Sequence, residues 1–439
     1  MTTLLARMVV LGLALVSSIL LARLLGPEGR GLFALVLLLP ELARTFGLLG
    51  IEQANAVYAG LQPDGRRALV WHSAALATIV GGALAITTMC YVAFGAPGLP
   101  ELARGPMVLY AIALSTVPVG LAVEYWRSII RGMNRILTLN LVEMGAKLIS
   151  VLILVTFLVW LDLGVLGAVL TDLILNFGTL ALVLALLRHM GILGKPSVDW
   201  SLAKRTARFA FPAYCAVVLL YLNYRVDQFI IAILLPTEQL GFYVIAVALG
   251  EQLWILTGAV ANALLPHLTN SKDRDPALCA IIARHVLVWT GAGCCLVFFL
   301  ADILIRITYS SAFAEAVAPL RWLLPGIFMG SAGKVLVAEL LAREKVRCIV
   351  WMAAITAIVN VTGSLVLIPY MGISGAALAS TLSYTLLSFM MAWFYLRETH
   401  LSWLLLIPGW SDLLTYSNIW SRWRTVFLGK HQIARGVQS

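Results

Sequence analysis

The sequence predicts an all-α protein that crosses a membrane about twelve times, with its helices in two six-helix lobes around a central cavity. The first observation is composition: 61% of the 439 residues are hydrophobic and 12% are charged, which is too apolar for a water-soluble core. The second is that apolar runs of transmembrane length recur at intervals of about 30 residues. The third is an internal repeat that relates the two halves of the chain.

Each apolar run is long enough for a transmembrane helix, which needs roughly 20 residues. Arg7 precedes the first run as in a signal peptide, but the run continues to Leu25 without a small-residue cleavage site, so it is interpreted as the first helix. The twelve predicted spans are 4–24, 31–58, 69–95, 106–130, 137–160, 164–187, 208–235, 240–267, 278–304, 316–341, 348–369 and 373–396.

Basic residues between the spans predict the orientation of the chain. If the N-terminus is cytoplasmic, 21 Lys and Arg lie in the inner segments, and the outer segments hold only Arg23, Arg30, Arg104, Arg306 and Arg321. This bias places both termini in the cytoplasm. Basic inner loops that face anionic lipids also account for the net charge of +10, so no nucleic acid partner is predicted.

The repeat predicts the domain organisation. An offset of 210 aligns Glu28 with Glu238, Gly31 with Gly241 and Glu41 with Glu251, and an offset of 208 aligns residues 164–170 with 372–378. We therefore predict an N-terminal lobe at 1–187, a cytoplasmic linker at 188–208, a C-terminal lobe at 209–397 and a tail at 398–439. The tail is predicted to lie at the inner interface, since it carries Trp403, Trp410, Trp420 and Trp423.

No cofactor, metal site or catalytic residue is predicted. The sequence has no phosphate-binding glycine loop, zinc-binding helix pattern or nucleophile elbow. The six cysteines lie in the spans or at their ends, and none has metal-type spacing to a histidine, so we expect buried free thiols. The sequence therefore favours a function without covalent chemistry.

Charged residues inside the spans are the candidate functional residues, because a charge in the hydrocarbon core is costly. In span two, Glu41, Arg44, Glu52 and Asn55 follow each other at helical steps on one face. A rise of about 1.5 Å per residue from Gly31 places Glu41 roughly 15 Å deep, near the midplane. The repeat places Glu251 at the equivalent depth in the second lobe.

Span seven has the densest polar cluster. Arg225 shares a helical face with Tyr221 and Gln228, whereas Asp227 shares the other face with Asn223. We interpret Arg44, Arg225 and Lys334 as candidate ligands of an anionic headgroup in the cavity, because guanidinium and ammonium groups bind phosphate oxygens. Tyr221 and Gln228 would bind the same cargo.

Lys147 and Arg127 are further candidates for the anionic cargo. The alternative is structural: Lys147 pairs with Glu143 on the same helix, as Asp172 pairs with Asn176, and Arg127 extends its charge to the interface.

Glu41, Glu251 and Asp227 are candidate coupling or gating residues. Equivalent carboxylates at the midplane would approach each other across the axis between the lobes, and one of two such carboxylates would hold a proton. The alternative is that Glu41 pairs with Arg44 on its own helix, while Glu251 pairs with a base elsewhere.

Three motifs in order resemble a known family over residues 1–397. The first motif is Ala-Arg-Leu-Leu-Gly-Pro at residues 22–27, followed by Gly31. The second is Arg-Val-Asp-Gln-Phe-Ile-Ile at residues 225–231, followed by Gly241-Phe242-Tyr243 and by Leu265-Pro266. The third is Leu-Ile-Pro at residues 367–369, followed by Gly372 and Gly375-Ala376-Ala377. The chain resembles the polysaccharide-biosynthesis, or O-antigen-type, oligosaccharide-lipid flippases of the multidrug/oligosaccharidyl-lipid/polysaccharide exporter superfamily.

The resemblance implies two lobes around a cavity that opens alternately to each side, as in multidrug exporters of that superfamily. It implies a cargo of glycan on polyprenyl diphosphate, moved from the cytoplasmic to the outer leaflet of the bacterial inner membrane. The implied partners are this lipid-linked glycan, membrane lipids and other polysaccharide-assembly membrane proteins.

Two other functions stay open at this stage. An exporter of cationic small molecules would use acids such as Glu41 and Glu251. A membrane glycosyltransferase or polymerase would require acidic catalytic residues on a substantial outer loop, which the predicted topology lacks.

The predicted orientation can be tested by cysteine labelling in intact cells. Single cysteines in Asp64→Cys, Lys195→Cys and Lys272→Cys should be shielded from an impermeant thiol reagent, because the membrane separates them from it. Those in Glu238→Cys and Ser311→Cys should be labelled. Labelling at position 195 would contradict both the topology and the cytoplasmic linker.

Overall fold

The computed structural model describes residues 2–96, 102, 105–255, 257–261, 264, 276–343 and 345–409. Some residues used in the sequence analysis lie outside this part of the chain, namely Arg104, Leu265, Pro266, Lys272, Trp410, Trp420 and Trp423. The α-helices, numbered in chain order, are α1 Thr2–Gly47, α2 Ile51–Leu61, α3 Arg66–Ala93, α4 Met107–Gly132, α5 Ile136–Val155, α6 Gly164–His189, α7 Trp200–Leu234, α8 Thr237–Gln252, α9 Pro276–Thr308, α10 Val317–Ala342, α11 Val346–Met371 and α12 Ile373–Thr399.

The chain is a multi-pass α-helical membrane protein, as predicted. Within the described residues, 10 helical segments are long and apolar enough to cross a membrane. The first, Met8–Gly47, covers predicted span one and most of predicted span two. Predicted span eight corresponds to α8 and the residues after it, where α8 ends at Gln252 after 16 residues.

The prediction of one continuous helix over 31–58 is wrong. Helix α1 ends at Gly47, and α2 begins at Ile51 after Leu49 and Gly50 adopt positive φ values of 48° and 69°. The Tyr125 hydroxyl donates a hydrogen bond to the Gly47 carbonyl at 2.5 Å, which satisfies an oxygen that the helix no longer uses. Hydropathy continues through this turn, so the apolar pattern alone does not reveal the break.

The boundary between the first two predicted spans lies within the expected range 24–31, but it is a single residue and not a loop. Two helical segments of α1 meet at Gly26, which has φ 67° and ψ -179°. Pro27 follows it, and a proline has no amide hydrogen to donate to the preceding turn. The chain therefore bends within α1.

Helix packing forms two groups. In the first half, α4 packs against α2, α3 and α6, and α1 packs against α5; in the second, α12 packs against α10 and α11, and α11 packs against α7. The predicted linker over 188–208 is too long, because α6 extends to His189 and α7 begins at Trp200. The apolar runs stop before the charged residues at the end of α6 and the start of α7. Hydropathy therefore does not show that these residues are helical.

The short linker is attached to α3. Trp71 Nε1 donates to the Gly194 carbonyl at 3.1 Å, and the Asp199 amide donates to His72 Nε2 at 3.2 Å. The Asp199 carboxylate caps α7 by accepting hydrogen bonds from the amides of Leu202 and Ser201. These hydrogen bonds hold the pKa of the Asp199 carboxyl below its usual range, and the bond from the Leu202 amide contributes most.

The cysteines are free, as expected, but burial was expected for all six. Cys279 and Cys294 are buried, whereas Cys90 and Cys295 are exposed on helix surfaces. An apolar thiol on the surface of a transmembrane helix can face lipid without a cost in hydration, so burial inside the protein is not required.

In the tail, Trp403 stacks on Phe389 with ring centroids 5.4 Å apart.

The two lobes meet at residues that the repeat makes equivalent. A Cβ atom on Gly31 would overlap the carbonyl oxygen of Thr237, and one on Gly241 would overlap that of Pro27. These two contacts are reciprocal, since Pro27 and Thr237 are themselves 210 positions apart. On this side of the molecule, Arg23 Nε also donates to the Thr308 carbonyl at 2.8 Å, at the C-terminus of α9.

The lobes also touch just after the C-terminal end of α1. A Cβ atom on Gly50 would overlap the carbonyl oxygen of Ala210 in α7, and the Tyr214 hydroxyl donates to the Phe46 carbonyl at 3.0 Å. The space between the lobes is therefore bounded by one contact at Gly31 and another at Gly50.

The Gly31 contact can be tested with a single methyl group. In Gly31→Ala the added carbon has no room beside Thr237, so we expect the lobes to separate on this side, with a loss of about 1–3 kcal/mol in stability. Spin labels at Glu28→Cys and Glu238→Cys would report a longer interlobe distance. Gly82→Ala is the matched control, because a Cβ there meets nothing within 4 Å. An unchanged distance distribution in Gly31→Ala would contradict the contact.

Candidate functional site

An ion bridge between the lobes lies at the centre of the molecule. Arg225 in α7 binds Glu251 in α8 through two hydrogen bonds, Nη1 to Oε1 at 2.8 Å and Nη2 to Oε2 at 3.2 Å. Its Nε lies 3.9 Å from Oε1 of Glu41 in α1. The repeat-equivalent carboxylates therefore share one guanidinium, and Glu41 contacts Arg225 rather than Arg44.

The bridge changes the electrostatic argument for the two carboxylates. The proton-sharing hypothesis required that they face each other without a cation, because only then does mutual repulsion favour protonation. Arg225 lies between them, so a cation offsets the repulsion on which that hypothesis depends. Because both carboxylates already contact Arg225, it has little capacity for a further anion in this conformation.

Lys334 is the other cation of this region. Its ammonium lies 4.2 Å from the ring centroid of Trp254 and 5.0 Å from that of Tyr224. Tyr384 completes a three-ring cluster, with centroids 5.2 Å from Tyr224 and 5.3 Å from Trp254. Within the described residues, no carboxylate lies within ion-pair distance of Lys334, and its ammonium contacts aromatic faces instead.

Two adjoining cavities share Lys334, Tyr224 and Trp254. The central cavity, about 370 Å³, lies between the lobes and is also lined by Tyr221 and the ion bridge. A second cavity of about 210 Å³ extends into the C-terminal lobe, where Ser388 is a polar lining residue. Lys334 therefore lines both the cavity between the lobes and the cavity inside the C-terminal lobe.

Arg44 lies in a separate polar cluster of the N-terminal lobe. Its Nη1 donates to Oδ1 of Asn176 at 3.3 Å, and Asn176 donates to Oδ2 of Asp172 at 3.1 Å. Asp172 also interacts electrostatically with Arg44 and Lys147. The structure therefore groups Arg44 with Lys147 and not with Arg225.

Arg127 is part of a third cluster. It forms ion pairs with Glu124 at 3.3 Å and with Glu143 at 3.1 Å. The expected pair between Glu143 and Lys147 is wrong, because Glu143 in α5 reaches across to Arg127 in α4 instead. A pair between helices is available here because α4 and α5 are neighbours.

Helix α7 separates its polar residues as the helical spacing predicts. Tyr221, Arg225 and Gln228 line cavities between the lobes. Asp227 faces the interior of the C-terminal lobe, where it accepts hydrogen bonds from the hydroxyls of Tyr243 and Ser380 and from the Gln228 amide. It is 1% exposed and does not line the cavities between the lobes.

Sequence reasoning missed the aromatic part of the site. Trp254 and Tyr384 lie in apolar runs, where an aromatic residue has no distinguishing pattern. One signal was available for Trp254, because it follows Glu251 by three residues and therefore lies near the same helical face.

Comparisons with known proteins agree with this architecture. The family described as polysaccharide biosynthesis protein matches residues 1–272. No curated protein sequence matches the chain.

Solved structures show a similar fold at low sequence identity. The lipid II flippase MurJ in its inward closed conformation superposes with a TM-score of 0.76 at 14% identity, over 89% of this chain and 87% of that one. An inward-facing multidrug resistance MATE family transporter of the MOP superfamily gives 0.70 at 15%, over 88% and 94%. A MOP superfamily transporter from Pyrococcus furiosus, described by a binding pocket of reverse polarity, gives 0.60 at 16%, over 90% and 93%.

The ion bridge can be tested by two double-mutant cycles on the unfolding of the purified protein. We expect a coupling energy of about 1–3 kcal/mol between Arg225→Gln and Glu251→Gln, because that pair is bidentate and partly buried. Coupling between Arg225→Gln and Glu41→Gln should be under about 1 kcal/mol, because the groups are farther apart. The exposed pair Asp302 and Arg306, 2.8 Å apart, is the control, and equal coupling in all three cycles would contradict the bridge.

Proposed function

Because the chain belongs to the family of polysaccharide biosynthesis proteins, we propose that it is a flippase for a polyprenyl-diphosphate-linked oligosaccharide. The cargo would move from the cytoplasmic to the outer leaflet of a bacterial inner membrane as the lobes open alternately to each side. The fold shared with MOP superfamily flippases and transporters supports this mechanism. No covalent step is required.

One observation carries the proposal: a lysine without a carboxylate partner lines the cavity between the lobes. An intramembrane ammonium is costly unless it has a partner, and the aromatic rings of Trp254 and Tyr224 compensate only part of that cost. A phosphate group in the cavity would complete the coordination of Lys334. The rings beside it provide flat apolar surfaces for sugar faces, and Ser388 places a hydroxyl in the adjoining cavity.

Arg225 is proposed as the second ligand of the headgroup, and Glu41 and Glu251 as gating residues. A phosphate that binds Arg225 competes with Glu41, whose contact at 3.9 Å is the longer of the two carboxylate contacts. Because Glu41 belongs to the other lobe, its release from Arg225 removes an attraction that holds the lobes together.

Export of cationic small molecules is the second candidate, and the two cavity carboxylates favour it. Both carboxylates, however, already neutralise Arg225, and the aromatic cluster already binds the ammonium of Lys334. A cationic ligand would have to displace one of these cations or lie beside them. An anionic cargo fits this arrangement better.

Lys334 provides the sharpest test of the cargo's charge. Lys334→Met keeps the side-chain length but removes the charge, so we expect a loss of glycan export of about tenfold or more, which corresponds to about 1.4 kcal/mol. Lys334→Arg should retain part of the activity. Export is measured as surface glycan in cells that depend on this protein, at matched protein levels.

Lys345→Met is the matched control, because Lys345 pairs with Glu398 at 2.7 Å outside the cavity. Full export by Lys334→Met would exclude the anionic headgroup site. Increased tolerance of cationic drugs in the same variant would favour the second candidate instead.

A further inference from the structure

A third cavity lies on the other side of the ion bridge. It has a volume of about 240 Å³ and is lined by Arg30 and Phe33 of α1, Gln228 of α7, and Val244 and Val247 of α8. Glu41, Arg225 and Glu251 line this cavity and the central cavity alike, so the bridge is the wall between them. In α1, the residues that line the cavity run from Arg30, next to the Gly31–Gly241 contact, to Glu41 of the bridge, on the side predicted to face outward.

Arg30 is an unusual residue in this cavity. It is only 8% exposed, and its Nε atom is buried without a hydrogen-bond partner. Its guanidinium lies over the Phe33 ring, 5.6 Å from the centroid. Within the described part of the chain, no acidic side chain forms an ion pair with it.

An arginine buried without an acid is costly, since a buried charge normally requires a partner. The basic residues at the protein surface are different. Arg23 binds the Thr308 carbonyl, and Arg306 pairs with Asp302. Sequence analysis assigned Arg30 to an outer loop, but its side chain is enclosed between the lobes.

We propose that Arg30 is a further diphosphate-binding residue, beyond Lys334 and Arg225, which receives the headgroup of the cargo after it has passed the ion bridge. This rests on the proposed function and adds an order of events. The headgroup binds first at Lys334, exchanges with Glu41 on Arg225, and then reaches Arg30 through the wall that Arg225 forms. Opening of the Gly31–Gly241 contact releases it to the outer side.

Loss of Arg30 is expected to slow transfer of the headgroup without weakening its first binding. Arg30 lies beyond the bridge, so its loss leaves the Lys334 site intact and removes only the later position. A purely structural arginine would change folding, or would alter binding and transfer together.

The experiment uses the full chain in phosphatidylcholine vesicles with geranylgeranyl diphosphate as the probe. An impermeant phosphatase outside the vesicles releases phosphate from headgroups that reach the outer leaflet. Equilibrium binding of the same probe is measured on the purified protein. For Arg30→Gln we expect at least about tenfold slower transfer, with a dissociation constant within about threefold of the original protein.

Three further variants are compared. Arg30→Lys should transfer at an intermediate rate, because it keeps the charge but loses the planar fork. Arg306→Gln, which removes a surface arginine, should transfer at the original rate. Lys334→Met should lose binding as well as transfer. Thermal unfolding of each variant shows whether it is folded, and if Arg30→Gln is not, Arg30→Lys decides the outcome.

The outcomes distinguish the two proposals. If the original protein transfers no geranylgeranyl diphosphate, the proposed function fails. If it does, and Arg30→Gln transfers at the original rate, the role of Arg30 is overturned while the proposed function stands. Equal losses of binding and transfer would also overturn it. An effect of Arg30→Gln seen only in vesicles that contain phosphatidylglycerol would assign the site to a lipid headgroup and reject the cargo.

Discussion

The interaction on which the rest of the site depends is the bridge from Glu41 through Arg225 to Glu251. Charges at the midplane of a membrane protein need partners, and here two acids from different lobes share one base. The bridge joins the lobes and forms the wall between two cavities. It also occupies the guanidinium of Arg225, one of the three cations predicted from the sequence to bind an anionic headgroup. Lys334 and Arg30 consequently stand on opposite sides of it, each without an acidic partner among the described residues.

Much of the fold could be predicted because each transmembrane helix satisfies its own backbone hydrogen bonds, so hydropathy and length define it without knowledge of its neighbours. The repeat added a tertiary prediction, since the equivalence of Gly31 and Gly241 and of Glu41 and Glu251 places both pairs where the lobes meet. Helical spacing likewise separated the cavity face of α7, with Arg225, from the interior face, with Asp227.

Sequence reasoning failed where the partner of a charge lies on another helix. The alternatives that paired Glu41 with Arg44 and Glu143 with Lys147 rested on the rule that residues three or four apart are neighbours on a helix. In the structure Glu41 contacts Arg225 and Glu143 pairs with Arg127, since packing brings a base from another element within reach. Arg30 was assigned to a loop because hydropathy does not show that the second helical segment of α1 begins directly after Gly26.

The repeat also explains why the bridge is unequal. The two acids, Glu41 and Glu251, are equivalent positions of the repeat. Arg225 has no basic counterpart, because the offset of 210 aligns it with Leu15. Arg225 therefore belongs to the C-terminal lobe and is held by that lobe's own Glu251 at 2.8 Å, while the contact with Glu41 of the other lobe is 3.9 Å. Lys334 has the same asymmetry, since the position equivalent to it is Glu124, which pairs with Arg127. In the central cavity, positive charge therefore comes from the C-terminal lobe only, through Arg225 and Lys334. The proposed anionic cargo would weaken most readily the longer contact, between the lobes, whereas the arginine would stay attached to the lobe that supplies it. Opening of the cleft can then be linked to cargo binding without any loss of packing within either lobe.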